Sequence, residues 1–337
     1  MKNYSQIDKL LHRMVFRNDK LNQLLYDIEK FFFLKNNDLE IIDSINVTGL
    51  ARSGTTILLN AIYKSNEFAS LTYRDMPFLL SPNFWGKNIF NAKKDYASSQ
   101  RKHADRIFIN YDSPEAFEEV FWKIHLQTKY IKEKSIFTHT VKEDTIQEYQ
   151  KYKKIICKKY KRNKYLSKNN NNVLRLESLA NFDYQSKYLL VFRDPLTQAY
   201  SSLNQHKNFY NIDTFTYEYL QFLAHHEFGG TYKEIILKNK IENLHNQFEL
   251  NYWLKKWIYV HEYLLNIINK KISNIILVNY EKLCLNDNCW KKICKLINLK
   301  YYDFNFSINN SKIRENFDNK LLTQANKIYQ DLIKTSI

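Results

Sequence analysis

The chain has little of what breaks regular structure or spans a membrane. Its 337 residues include only 5 glycines and 4 prolines, too few for a collagen-like, low-complexity or disordered polypeptide. The four cysteines, Cys157, Cys284, Cys289 and Cys294, form no C-x-x-C pair and have no histidine at ligand spacing. Neither a zinc site nor a disulfide framework is expected, and reduced cysteines fit a cytoplasmic location. No apolar run approaches the roughly 20 residues of a membrane-spanning helix. The polar start, Met1 to Ser5, leads into an amphipathic pattern and lacks a secretory apolar region. Aromatic residues are plentiful instead, with 25 Tyr and 22 Phe, enough for a sizeable core. The net charge of +16 would suit nucleic acid or a membrane surface. Joint enrichment in Lys, Asn, Ile and Tyr reads more simply as an AT-rich coding sequence. Compatibility with an anionic ligand is what the charge retains.

With so few glycines, a pair five residues apart stands out. Val47-Thr48-Gly49-Leu50-Ala51-Arg52-Ser53-Gly54-Thr55-Thr56 follows a strand-like alternation, Ile45 and Val47. It precedes Ile57, Leu58, Ala61 and Ile62 at helical spacing. Strand, glycine-bounded loop and helix together aim backbone N–H groups and a helix N-terminus at one anion. The phosphate loop of nucleoside triphosphatases has a Lys where this chain has Thr55. That Lys reaches the β- and γ-phosphates, so its absence argues for a ligand without them. A tight turn or a relic of such a loop is the competing reading.

A second motif lies far downstream. Tyr188-Leu189-Leu190-Val191-Phe192 reads as a buried parallel strand. Arg193-Asp194-Pro195 follows, with Asp194 suited to cap a helix that Pro195 begins. Ser201 stands eight residues after Arg193, a little over two helical turns on. As a magnesium-binding strand end this would be poor, with Arg193 and Pro195 flanking the only carboxylate.

The two motifs together resemble those of sulfotransferases that use 3′-phosphoadenosine 5′-phosphosulfate. The resemblance implies a three-layer α/β fold related to nucleotide kinases, with a central parallel sheet flanked by helices, and transfer of a sulfuryl group to a hydroxyl without a metal. It assigns Ala51, Arg52, Ser53, Gly54, Thr55 and Thr56 to the 5′-phosphosulfate, and Arg193 and Ser201 to the 3′-phosphate. Tyr280, in Asn279-Tyr280-Glu281-Lys282-Leu283, becomes a nucleotide contact. Lys168 matches by position a lysine that faces the sulfuryl group, although Asn169-Asn170 follows it where relatives carry Thr-Pro or Asp-Pro. Asp75, at the end of an expected second strand Phe68 to Asp75, becomes the base, with a cap or a salt bridge to Arg74 as the alternative. Glu118 and Glu119 are rivals, in a helix expected to open at Asp112-Ser113-Pro114-Glu115.

The remaining segments complete the expected layout. One sulfotransferase domain covers 1–337, with a helical extension over 1–40 and a lid or acceptor segment over 205–250. Phe31-Phe32-Phe33 is expected to pack on the sheet rather than on a membrane, although peripheral membrane contact stays open. The Lys-rich stretch Glu143 to Lys168 has one packed and one solvated face, which disfavours nucleic acid as a partner. His225-His226-Glu227 is a poor metal set, because adjacent helical residues diverge. His261 is expected to be a core histidine. Ser311, Lys312 and Arg314 are noted as a tail that could reach the nucleotide. The acceptor is expected to be a glycan, a lipid-linked sugar or a small alcohol. A nucleotide kinase and a basic nucleic-acid-binding protein are the other classes considered.

Overall fold

The computed structural model describes residues 6–34, 40–41, 43–86, 99–100, 108–237, 246–308 and 312–337; Ser311 lies outside them. Five parallel strands form the central sheet: β1 (Asp43–Thr48), β2 (Phe68–Ala69), β3 (Lys164–Lys168), β4 (Ser186–Phe192) and β5 (Ile275–Asn279). Their order is β2-β3-β1-β4-β5. The register pairs Val47 with Lys168, Thr48 with Leu190 and Phe192 with Asn279, so the carboxyl ends lie along one edge.

Alternation along β4 shows why the sheet has helices on both faces. Leu189 and Val191 join Ile45, Val47, Leu58 and Leu59 in one apolar cluster. Tyr188, Leu190 and Phe192 point the other way and join Trp257 and Leu264. A strand covered on both sides can be apolar throughout, as Tyr188 to Phe192 is. The first cluster is closed by α3 (Thr55–Tyr63), the second by the long helix α7 (Leu250–Ile268). The parallel α/β architecture expected from the motifs is the one observed. His261 is the core histidine expected: it is buried, stacked on Trp257, and its Nδ1 bonds the Trp257 carbonyl at 2.8 Å.

Three local expectations are corrected. The strand after α3 is only Phe68–Ala69, and Tyr73–Asp75 is a 3-10 turn closed by a capping box between Thr72 and Asp75. The helix expected from Asp112 begins only at Glu119, because Pro114 is drawn into a β-bridge with Thr72. Phe31 and Phe32, at the end of α2 (Asp19–Phe33), are 78% and 58% exposed and pack edge-to-face on each other and on Phe84 instead of entering the core. Asn22, Tyr26 and Glu29 are the residues of that helix that are buried. No helix among the described residues is long and apolar enough to cross a membrane.

Candidate functional site at the sheet's carboxyl edge

β1 delivers the chain into the glycine-bounded loop, and crowding explains both glycines. Gly49 has φ +148°, and a Cβ there would lie 2.2 Å from the Val191 carbonyl oxygen. Gly54 has φ +102°, and a Cβ there would lie 2.3 Å from the Tyr280 ring. Arg52 takes φ 71°, a left-handed conformation that costs a non-glycine residue energy and tends to occur at functional loops. Gly54 is also the N-cap of α3 and supplies no side-chain cap. The first N–H groups of α3 therefore have no side chain of that residue to satisfy them, an arrangement suited to an anion.

A cavity of about 210 Å³ opens beside this loop. Ala51, Arg52, Gly54, Thr55, Thr56, Lys168, Arg193, Ser201 and Tyr280 all line it. Four strand ends and α5 (Pro195–Asn208) bring them together from distant parts of the chain. Asp194 caps α5 through the Thr197 amide, with Pro195 in its first turn, and this places Ser201 over the loop. The Arg52 Nε donates to Ser201 Oγ at 3.0 Å. The Arg193 guanidinium lies 4.7 Å from the centre of the Tyr280 ring and reaches the Arg52 carbonyl at 3.5 Å. Lys168, at the end of β3, donates to Thr56 Oγ1 at 2.7 Å and pairs with Glu115 at 2.9 Å. Three cations thus converge on one loop and one helix N-terminus.

Two carboxylates also line the cavity. Glu115 is buried, held by Lys168, by the Tyr73 hydroxyl at 3.1 Å and by the Ala116 amide. The Thr72–Pro114 bridge that delays the helix also turns Glu115 into the cavity. Glu227 accepts from Asn170 Nδ2 at 3.0 Å, and Asn170 Oδ1 accepts from Thr55 at 3.2 Å. Burial pushes the Glu227 pKa up, but the neighbouring His225, the Asn170 hydrogen bond and Lys168 outweigh it and hold the carboxyl below its usual range. His225 is itself oriented by a 2.8 Å bond from its Nε2 to the Ala116 carbonyl. Among the described residues, no group of three or more His, Cys, Asp or Glu is placed to hold a metal ion.

The structure does not bring every expected residue to the cavity. Asp75 is fully buried and does not line it: one oxygen pairs with Lys159, and the other accepts from the Thr72 amide and the Tyr160 hydroxyl. The structure therefore keeps Asp75, expected as the base, out of the cavity that Arg52, Lys168 and Arg193 line. Glu118 is bound by Tyr149, Tyr165 and Trp122, and Glu119 by Arg175, Tyr130 and Asn169; both belong to the core. The Ser53 side chain is buried beneath the loop, away from the cavity. Glu115, Asn170 and Glu227 were not singled out as site residues by sequence. A conformational reading of Pro114 as a strand residue would have freed Glu115 from the helix.

Asp75→Asn is accordingly expected to act on stability. Loss of the charge partner of Lys159 should cost roughly 1–3 kcal/mol, read by denaturant unfolding. Turnover per folded molecule should stay within about twofold, since surface and scaffold changes leave the reacting geometry in place. A large loss of turnover with unchanged stability would return Asp75 to the reaction.

A family model described as "Sulfotransferase family" matches residues 44–303. No curated protein matches the chain. Among solved structures, sulfotransferase STF1 from Mycobacterium tuberculosis H37Rv is 15% identical with a TM-score of 0.49, over 89% of this chain and 79% of that one. The sulfotransferase domain from the curacin biosynthetic pathway is 11% identical with a TM-score of 0.37, over 87% and 98%. Sulfotransferase STF9 from Mycobacterium avium is 10% identical with a TM-score of 0.41, over 86% and 68%.

Proposed function

The chain belongs to the sulfotransferase family, and from that premise we propose that it moves a sulfuryl group from 3′-phosphoadenosine 5′-phosphosulfate to a hydroxyl of a sugar-like acceptor. One observation carries the choice of donor: Arg52, Lys168 and Arg193 surround a phosphate-type loop in which Thr55 replaces the lysine that a triphosphate needs. The uncapped start of α3 with Ala51 to Thr56 receives the 5′-phosphosulfate end. Arg193 and Ser201 receive the 3′-phosphate, and Tyr280 closes the loop side of the nucleotide site. The donor supplies an activated sulfuryl group with a phosphate as leaving group.

The protein's part is to position, to neutralise and to take a proton. Arg52 and Lys168 set fixed positive charge where negative charge develops on the sulfuryl oxygens and the departing phosphate, which is what such in-line transfers chiefly require. As the acceptor oxygen bonds to sulfur, the bond from sulfur to the bridging oxygen breaks and its electron pair stays on the phosphate. The acceptor's proton goes to Glu115, whose oxygen sits 2.9 Å from Lys168. Glu115 takes the role first assigned to Asp75, because it lines the cavity and Asp75 does not.

Calorimetry tests the donor. Adenosine 3′,5′-bisphosphate should bind without magnesium and far more tightly than AMP. Arg193→Ala should remove about 2–4 kcal/mol of that preference, the scale for a charge-assisted contact. Equal affinity of the native protein for the two nucleotides would overturn the assignment of Arg193 and of the donor.

A further inference from the structure

The cavity carries charge of both signs. Arg52, Arg193 and Lys168 line it together with Glu115, which pairs with Lys168, and Glu227, which Asn170 ties to Thr55 of the glycine loop. A phosphorylated donor uses the cations, so an acceptor arriving second meets the negative charge of the donor and that of Glu227. Within a partly buried cleft such charges are weakly screened, and a like charge is strongly disfavoured. The lining also offers amides and rings: Asn204, Gln205 and Asn208 from one helix, and Phe209 and Phe228. Flat apolar faces next to carboxamides suit a polyhydroxyl ring, which presents C–H faces to aromatics and hydroxyls to amides.

Glu227 is held firmly enough to read such a group. Asn170 bridges it to Thr55 at the start of α3, with 3.0 and 3.2 Å hydrogen bonds. Two residues on, Gly229 takes φ +66°, and a Cβ there would lie 2.1 Å from the Phe209 carbonyl oxygen. Its amide donates to His206 Nδ1 at 3.1 Å. The 225–230 segment is therefore clamped on the end of α5, and the carboxylate cannot swing away without breaking these contacts.

Resting on the sulfuryl-transfer reading above, we infer that the acceptor is a neutral or amine-bearing polyhydroxyl compound, and that Glu227 is the residue that selects it against anionic acceptors. Glu227 accepts a hydrogen bond from a hydroxyl or ammonium of the acceptor, and Asn170 holds it in place through the donor-side loop.

The test uses the full chain saturated with adenosine 3′,5′-bisphosphate, and three p-nitrophenyl glycosides that share one ring: the glucoside, the 2-amino-2-deoxyglucoside and the glucuronide. Binding is followed by saturation-transfer NMR. The first two should bind, and the glucuronide at least about tenfold more weakly, a discrimination set by repulsion rather than by added contacts. Glu227→Gln should bring the glucuronide to within about threefold of the glucoside, while Glu227→Asp, which keeps the charge, keeps the ranking. A glucuronide that binds the native protein as well as the glucoside does, a ranking unmoved in a folded Glu227→Gln protein, or no binding by any of the three would overturn the inference. Failure of the bisphosphate itself to bind strikes the donor reading, and is seen before any glycoside is added.

Discussion

Glu115→Gln should lower turnover by about 10²- to 10⁴-fold, the range for removing a general base, while affinity for adenosine 3′,5′-bisphosphate stays within about threefold. The substitution is nearly isosteric. The amide oxygen can still accept from Tyr73 or from Lys168, both of which bond the carboxylate now. What is lost is the capacity to accept the acceptor's proton, and that loss bears only on the chemical step. Part of the rate should return at high pH, or with an acceptor whose hydroxyl is more acidic, because both reduce the need for a base. A labelled-sulfate transfer assay gives the rate and calorimetry gives the affinity. Full turnover in Glu115→Gln would remove Glu115 from the reaction, and His225, which also lines the cavity, would be the next group to test.

Arg52→Asn should separate binding from chemistry in the same way from the donor side. Asparagine is chosen because it tolerates the left-handed backbone that Arg52 adopts, φ 71°, so the loop keeps its shape when the charge is removed. Arg52 is tied to Ser201 by a 3.0 Å hydrogen bond, and its side chain is thereby oriented before any ligand arrives. A preorganised cation gains most where charge develops during reaction, and loss of one such donor costs about 10²- to 10³-fold in turnover. Donor affinity should fall by much less, since Lys168, Arg193 and the amides of the loop persist. Equal losses in affinity and turnover would show that Arg52 holds the ground state only.

The sheet and the two loops that meet at the cavity were legible because each rests on a contiguous signal. Leu189 to Phe192 is apolar at every position, as a strand buried on two faces should be, and Arg193-Asp194-Pro195 carries its own helix cap. The glycine loop announces itself in a chain so poor in glycine. β3 was not legible as a strand: Lys164-Tyr165-Leu166-Ser167-Lys168 begins and ends in lysine, and its identity comes from pairing on both sides, with β1 and β2. The placement of Glu115 in the cavity was not legible either. Pro114 looks like the first residue of a helix until its bridge to Thr72 forms, and that bridge decides where Glu115 goes. Asp75 and Glu115 are alike in sequence terms, each an acid next to a proline-bearing turn. Only the tertiary partners, Lys159 and Tyr160 for one and Lys168 for the other, tell the scaffold residue from the cavity residue.

The origins of the cavity lining in the chain have a consequence for how such a protein changes over generations. Arg52, Lys168, Arg193 and Tyr280 hang from the ends of β1, β3, β4 and β5, where a substitution also disturbs the sheet. Much of the remaining lining, from Asn204 through Phe228, comes from one continuous stretch that follows Ser201 of α5 and contributes no strand to the central sheet. Drift, insertion or exchange within that stretch can therefore alter what the cavity receives while the residues at the strand ends stay in place.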